Sequence, residues 1–264
     1  MIAVQTQPQT FGEHLRTWRQ RRRMSQLDLA SEAGISTRHL SFVETGRASP
    51  SREMVLQLAE HLELPLRAQN VLLAAAGFAP RFGERKLDHP DLAAVRAAID
   101  MVLKGHEPNP ALAIDIRWNL VAANAAAMRL MGAIAPALLA PPANVLRASL
   151  HPDGLAARIV NLGEWRQHVF ARLERQIHAS ADAALEELLA ELRSYPVAAA
   201  PSPVLREAPV VTPMKLRTDA GVLSLFGVTA VFGMPQDVTL EELAIESFFP
   251  ADAESAAMLA KMAS

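Results

Sequence analysis

The chain contains no cysteine. That absence excludes disulfides, thiolate metal sites and thiol redox sensing. No apolar run approaches the roughly 18 residues that a membrane span needs. Residues 1–10 are polar and rich in Gln, without the apolar centre of a secretory leader, so a cytoplasmic location is expected. No glycine-rich loop follows a strand-like segment, which argues against a nucleotide-binding fold. No nucleophile-elbow sequence is present, and no internal repeat is evident. The eight histidines lack a ligand spacing such as HxxxH. His14, His61 and His106 read as surface or linker residues, and neither a metal nor another cofactor is expected.

What the chain does have is apolar content and an uneven charge. Half of its 264 residues are apolar, enough to build a core, and the length suits two domains. The net charge of −2 hides a division. Residues 1–86 carry 12 Lys and Arg against 8 Asp and Glu, whereas the remainder carries 14 against 20. The basic part is suited to meet a polyanion and the acidic part is not.

The basic part holds an ordered set of signals within about twenty residues. Ser25 supplies an N-cap hydroxyl. Leu27, Ala30 and Ala33 follow on one helical face. Gly34 stands where the chain must turn. Ser36 caps a second helix with Leu40 and Val43 as its buried face, and Gly46 stops it. Thr37, Arg38 and Ser41 are left pointing outward near the start of that helix, where a helix-turn-helix meets base edges. Upstream, Phe11, Leu15 and Trp18 recur at helical spacing and read as core. The run Arg19, Arg21, Arg22, Arg23 either complements the dipole of the first helix or neutralises phosphates.

Residues 11–80 resemble the Cro and phage-repressor (xenobiotic-response-element) type of DNA-binding domain. Leu15-Arg16-x-x-Arg19 before the motif, and Pro50-Ser51-Arg52 with Leu56, Leu58, Ala59 and Leu62 after it, carry the likeness further. The resemblance implies five helices, placed at 11–22, 26–33, 36–45, 51–62 and 65–76. It implies that Gln26 touches the DNA backbone, that Thr37 and Arg38 reach bases in the major groove, and that Arg19 and Glu44 form a structural ion pair. The DNA-binding set expected is Gln26, Ser36, Thr37, Arg38, Ser41, Arg47 and Arg52. Phe42 stands where many relatives carry a polar contact residue. It either reads a thymine methyl group or packs inward.

Gly77-Phe78-Ala79-Pro80 ends the first domain, and 81–88 reads as a charged linker. A helix is expected over 91–104, with Leu92, Val95, Ile99, Val102 and Leu103 on its apolar side. A hairpin of two strands (111–116 and 119–123) turns at Arg117-Trp118. Asn124 caps a helix over 125–131, 136–142 reads as a loop, and 144–150 reads as helical. Two amphipathic helices span 153–179 and 181–194. Residues 196–213 contain five prolines and read as irregular. Strands are expected at 214–217, 222–232 and 244–249, with a tail from Ala251 that is either helical or loose. Tight hairpins make the sheet of about five strands mainly antiparallel.

The second domain, 88–250, resembles the MmyB-like ligand-binding domain. The residues that carry the likeness are His89-Pro90, Ile116-Arg117-Trp118-Asn119 with Ala122, Asn124 and Ala126, Asn144-Val145-Leu146-Arg147, Trp165, and Glu246-Ser247-Phe248-Phe249-Pro250-Ala251-Asp252. The resemblance implies a multidomain regulator: an all-α head that binds operator DNA, then a PAS-like α+β sensor for a small apolar ligand such as a fatty acid. A homodimer is expected, and no membrane partner. The expected ligand-binding set is Trp118, Asn124, Met128, Met131, Leu146, Arg147, Trp165, Phe226 and Phe232, with Val169 beside them. Arg147 and Asn124 are the choices for holding a carboxylate, although Asn124 also reads as an N-cap and Arg147 as a surface cation. Two other readings stand beside the sensor: a domain that only dimerises the heads, and a hydrolase-type enzyme drawing on Ser149, His151, Asp153, His168 or Ser202. The expectation is that the protein is not an enzyme.

Overall fold

The structure, a computed structural model, describes residues 9–196 and 211–263. The elements run α1 (Phe11–Arg21), α2 (Gln26–Glu32), α3 (Thr37–Glu44), α4 (Arg52–His61), α5 (Leu66–Ala75), α6 (Ala93–Gly105), β1 (Ala111–Ile114), β2 (Leu120–Ala123), α7 (Ala125–Met131), α8 (Pro136–Leu139), α9 (Val145–Leu150), α10 (Leu162–Ser180), α11 (Ala183–Ser194), β3 (Met214–Thr218), β4 (Gly221–Val231), α12 (Val238–Glu241), β5 (Ala244–Pro250) and α13 (Ala253–Ala263). They divide into two compact units. One comprises residues up to Glu84 together with Gln236–Glu241, and the other comprises Arg85–Pro235 and Glu242–Ser264.

The first unit is helical because its chain is punctuated at each helix start. Thr10 and Ser25 form capping boxes with Glu13 and Asp28. Ser36 and Ser51 accept from the backbone N–H groups of His39 and Met54. Each hydroxyl satisfies a donor that the helix itself cannot. Gly34 and Gly46 take left-handed φ values of 64° and 72° at the two turns flanking α3, a region closed to most side chains. Phe11, Leu15 and Trp18 are buried, as their spacing predicts, with Leu40, Val43, Leu58 and Leu62. The expected face of α2 needs correction. Leu27 is 65% exposed, and the buried residues are Leu29, Ala30 and Ala33. The capping box fixes the phase of this short helix, and that phase turns Leu27 outward. A short stretch from between β4 and β5 completes the unit. Val238 is fully buried, its N–H donates to the Gly83 carbonyl at 2.8 Å, and Glu241 accepts from the N–H of Leu66 at 2.7 Å.

The second unit is an α+β domain on a five-stranded antiparallel sheet in the order β2-β1-β5-β4-β3. Its core joins β1, β3 and β4 to α7, α9, α10 and α11 through residues such as Ile114, Leu146, Leu173, Leu189, Leu216 and Leu223. Several expected boundaries shift. The long helix expected from 153 starts at Leu162, because the preceding segment pairs with the sheet edge. Ile159 bridges to Leu216, and the N–H of Val160 donates to the Lys215 carbonyl at 2.8 Å. The expected loop at 136–142 begins with the single turn α8. Val102 is 42% exposed, and Leu92, Ile99 and Leu103 form the buried side of 90–105. The tail from Ala253 is helical. Most of the proline-rich 196–213 segment lies outside the described residues, as does Ser202.

Candidate nucleic-acid interface and ligand cavity

In the first unit, α3 is held by one buried pair. Arg19 Nε donates to Glu44 Oε1 at 2.6 Å and Arg19 Nη2 donates to Glu44 Oε2 at 3.0 Å. Such a two-point grip fixes orientation as well as distance. Gln26 joins it, donating from Nε2 to Glu44 Oε2 at 2.8 Å. The side chain of Gln26 is therefore part of the scaffold of α3. Ser36 is the N-cap of α3, Thr37 and Ser41 are half-buried, and Arg38 is exposed. The Arg38 guanidinium lies 5.3 Å from the centre of the Phe42 ring, and Phe42 itself is half-buried. Arg47 is exposed just beyond Gly46, and Arg52 opens α4. In the basic run, Arg19 grips Glu44, and Arg22 donates to the carbonyls of Leu62 and Glu63 at 2.8 and 3.0 Å. Those two arginines tie helices together.

In the second unit, a cavity of about 120 Å³ opens between the inner face of the sheet and the helices. One water needs roughly 10–15 Å³ on this scale, so the space is on the order of ten waters. Its walls come from Leu112 on β1, Leu225 and Gly227 on β4, Phe248 on β5, Ala127, Leu130 and Met131 on α7, and Leu146, Ala148 and Ser149 on α9. Helix α10 supplies Trp165, His168, Val169 and Arg172. The lining is mostly apolar with few polar groups, the usual make-up of a small-molecule site.

Those polar groups are ordered among themselves. Arg172 donates to both oxygens of Glu246, at 2.9 and 2.5 Å, and to Thr229 Oγ1 at 2.8 Å. Thr229 and Glu246 are register partners on β4 and β5. The Arg172 guanidinium also lies 4.5 Å from the Trp118 ring centre. Trp118 sits at a left-handed φ of 66°, rare for a bulky residue, and its Nε1 donates to Gln176 Oε1 at 2.8 Å. Trp165 donates from Nε1 to Ser149 Oγ at 2.9 Å and stacks on His168 at 5.3 Å. Burial lowers the pKa of His168, helped by the charges of Arg172 and Arg175, so its neutral form is favoured near pH 7.

Of the expected ligand-binding residues, Trp118, Met131, Leu146, Trp165 and Val169 line this cavity. Five others do not, each for a local reason. Met128 is 50% exposed, since Ala127, Leu130 and Met131 hold the inward phase of α7. Phe226 lies between Leu225 and Gly227 on the alternating strand, so it takes the opposite face, where it stacks on Phe249 at 5.8 Å. Phe232 falls beyond the end of β4. Asn124 is a buried cap whose Oδ1 accepts from Ala111 and Ala127 and whose Nδ2 donates to Asn109 and Leu103. Arg147 pairs with Glu191 at 2.7 Å, and that bond raises its pKa.

The sequence reading missed Arg172, Glu246, Gly227 and Phe248, and gave His168 and Ser149 no place in the pocket. A signal existed for most of them. Trp165, His168, Val169 and Arg172 share one stripe at i, i+3, i+4, i+7. Glu246 and Phe248 share one face of β5.

Among the described residues, no hydrogen bond joins Ser149 to His151 or His168, and no three His, Asp or Glu residues cluster to hold a metal. No described helix is long and apolar enough to cross a membrane.

Comparison with curated proteins finds no match. Two family models do match. A helix-turn-helix domain covers residues 10–70, which takes in α1 to α4 and the start of α5. The MmyB-like transcription regulator ligand binding domain covers residues 95–262, well over half of the chain and the whole of the sheet and cavity. The chain thus belongs to the MmyB-like transcription regulators, with a helix-turn-helix DNA-binding domain preceding a ligand-binding domain.

Proposed function

We propose that the protein binds operator DNA as a homodimer through α3, and that an elongated apolar molecule of the acyl-chain class, to which fatty acids belong, occupies the second-unit cavity and changes operator affinity. The observation that carries the ligand reading is the mostly apolar cavity with one ordered polar cluster at its wall. A packed core would leave few voids larger than a water. The DNA reading rests on the exposed start of α3, where Arg38 stands beside Ser36 and Thr37. Half-sites read by such heads lie about 10 base pairs apart, or a multiple of that. A ligand alters operator affinity only if it favours one of two protein states.

The experiment combines lipid extraction and mass spectrometry of the purified full chain with operator titrations, in the presence and absence of added medium-chain acyl compounds, both the free acid and its methyl ester. A copurifying acyl compound and a shifted operator affinity are the expected results. If no acyl compound copurifies, and none raises the melting temperature or moves operator affinity, the ligand reading fails and a purely dimerising domain takes its place.

A further inference from the structure

The charge of the cavity wall narrows the ligand's head group. Among the described residues, Arg172 and Glu246 are the only Lys, Arg, Asp or Glu side chains in the lining, and their formal charges cancel. Glu246 is 3% exposed, and both of its oxygens are held by Arg172. Arg175, near enough to His168 to depress its pKa, is exposed on the outer side of α10, where water screens it. A free carboxylate brought to Arg172 meets the Glu246 carboxylate at the same guanidinium. It has to repel that anion or pull its partner away, which leaves a buried charge uncompensated.

A neutral acceptor meets no such obstacle. A guanidinium has five N–H donors, and three of those on Arg172 are engaged by Glu246 and Thr229. Ser149 accepts the Trp165 N–H, so its own hydroxyl proton is available to donate. Neutral His168 offers one ring N–H. The wall thus presents donors without net charge.

Resting on the acyl-chain reading above, we infer that this cavity is built for a neutral acyl carbonyl compound, an ester or an amide, and discriminates against the free fatty acid. The Glu246 carboxylate is the discriminating group.

The test is binding to the full chain at pH 8, followed by the fluorescence of Trp118 and Trp165, with three probes of equal chain length: sodium decanoate, methyl decanoate and decanamide. The ester and amide are expected to bind at least tenfold more tightly than decanoate. Glu246→Gln keeps an acceptor for Arg172 but removes the negative charge, and should reverse the order in favour of decanoate. Decanoate binding to the wild type as tightly as the neutral probes, or more tightly, overturns the inference and leaves the acyl-ligand reading standing. Binding of none of the three overturns both.

Discussion

Arg19 and Glu44 meet through two hydrogen bonds, of 2.6 and 3.0 Å, with both side chains almost entirely out of water. The pair joins α1 to α3 across 25 residues of chain, and the Gln26 amide completes it from α2. Removing one member of a buried pair strands the other, at about 3–5 kcal/mol. Glu44→Ala should therefore lower the stability of the first unit by that order without DNA present, measured by urea denaturation followed through Trp18. Glu44→Gln should lose less, since it still accepts from Arg19. An unaltered midpoint for Glu44→Ala would mean that the pair does not hold α3.

Helix α1 also approaches α3 through a glycine. A Cβ placed on Gly12 would lie 2.2 Å from the Glu44 carbonyl oxygen, well inside contact distance. Gly12→Ala must push the two helices apart, at a cost of about 1–3 kcal/mol. Because the clash falls on the C-terminal end of α3 and displaces that helix, operator affinity should fall along with thermal stability. A melting curve that superimposes on the wild type would rule this out.

Arg38 is expected to read a base. A good two-point contact from Arg to guanine contributes about 1–3 kcal/mol of discrimination. Arg38→Ala should weaken specific binding by that amount and leave non-specific binding much less affected. Equal losses on operator and random DNA in a competition assay would make Arg38 a phosphate contact instead.

The single tyrosine gives a clean optical titration. Burial, reinforced by the Glu191 carboxylate 2.5 Å from its hydroxyl, raises the pKa of Tyr195 from 10.0 to about 12. The neutral phenol is thus favoured by the fold. Its contribution to stability is complete below pH 10 and is lost as pH rises through about 12. Glu191 has the opposite sign: its pKa is lowered, chiefly by the Arg147 bond, so its contribution is present above pH 4.5 and fades as acid protonates it. Absorbance at alkaline pH should show phenolate forming near pH 12 in the native protein and near 10 in urea. Glu191→Gln should shift the native transition downward.

Gly227 lies on the cavity wall, where an added Cβ would meet only the Phe248 ring, at 3.6 Å. Gly227→Leu should fill the cavity and remove the ligand response, with operator binding of the unliganded protein preserved. Met128→Trp, on the exposed side of α7, should leave the response intact. If the two variants behave alike, the responding site is not this cavity.

The first unit was nearly transparent to sequence reasoning because its information is local. The caps at Ser25 and Ser36 and the turns at Gly34 and Gly46 each act within a few residues, and the five helices that the family resemblance implied lie within two residues of their expected ends. Leu27 shows the limit: in a seven-residue helix, composition alone does not fix the phase. In the second unit the strands were legible from alternation, but the cavity was not, since its wall is assembled from seven helices and strands. Large apolar type was a poor guide there. Phe226 and Phe232 looked like lining and are not, while Gly227 lines the space because it is small. The polar cluster was hidden for a different reason. Arg172 and Glu246 are 74 residues apart, and nothing in either neighbourhood announces the other.

The placement of Gln236–Glu241 in the first unit bears on how this protein can be cut and recombined. The polypeptide passes from one unit to the other at three points along its length, not one. No N-terminal fragment, wherever it stops before residue 236, carries everything the DNA-binding unit contains. It lacks Val238 and the carboxylate that caps Leu66. Exchanging heads between regulators of this design would therefore require two grafts, one continuous and one of six residues set inside the recipient's β4–β5 connection.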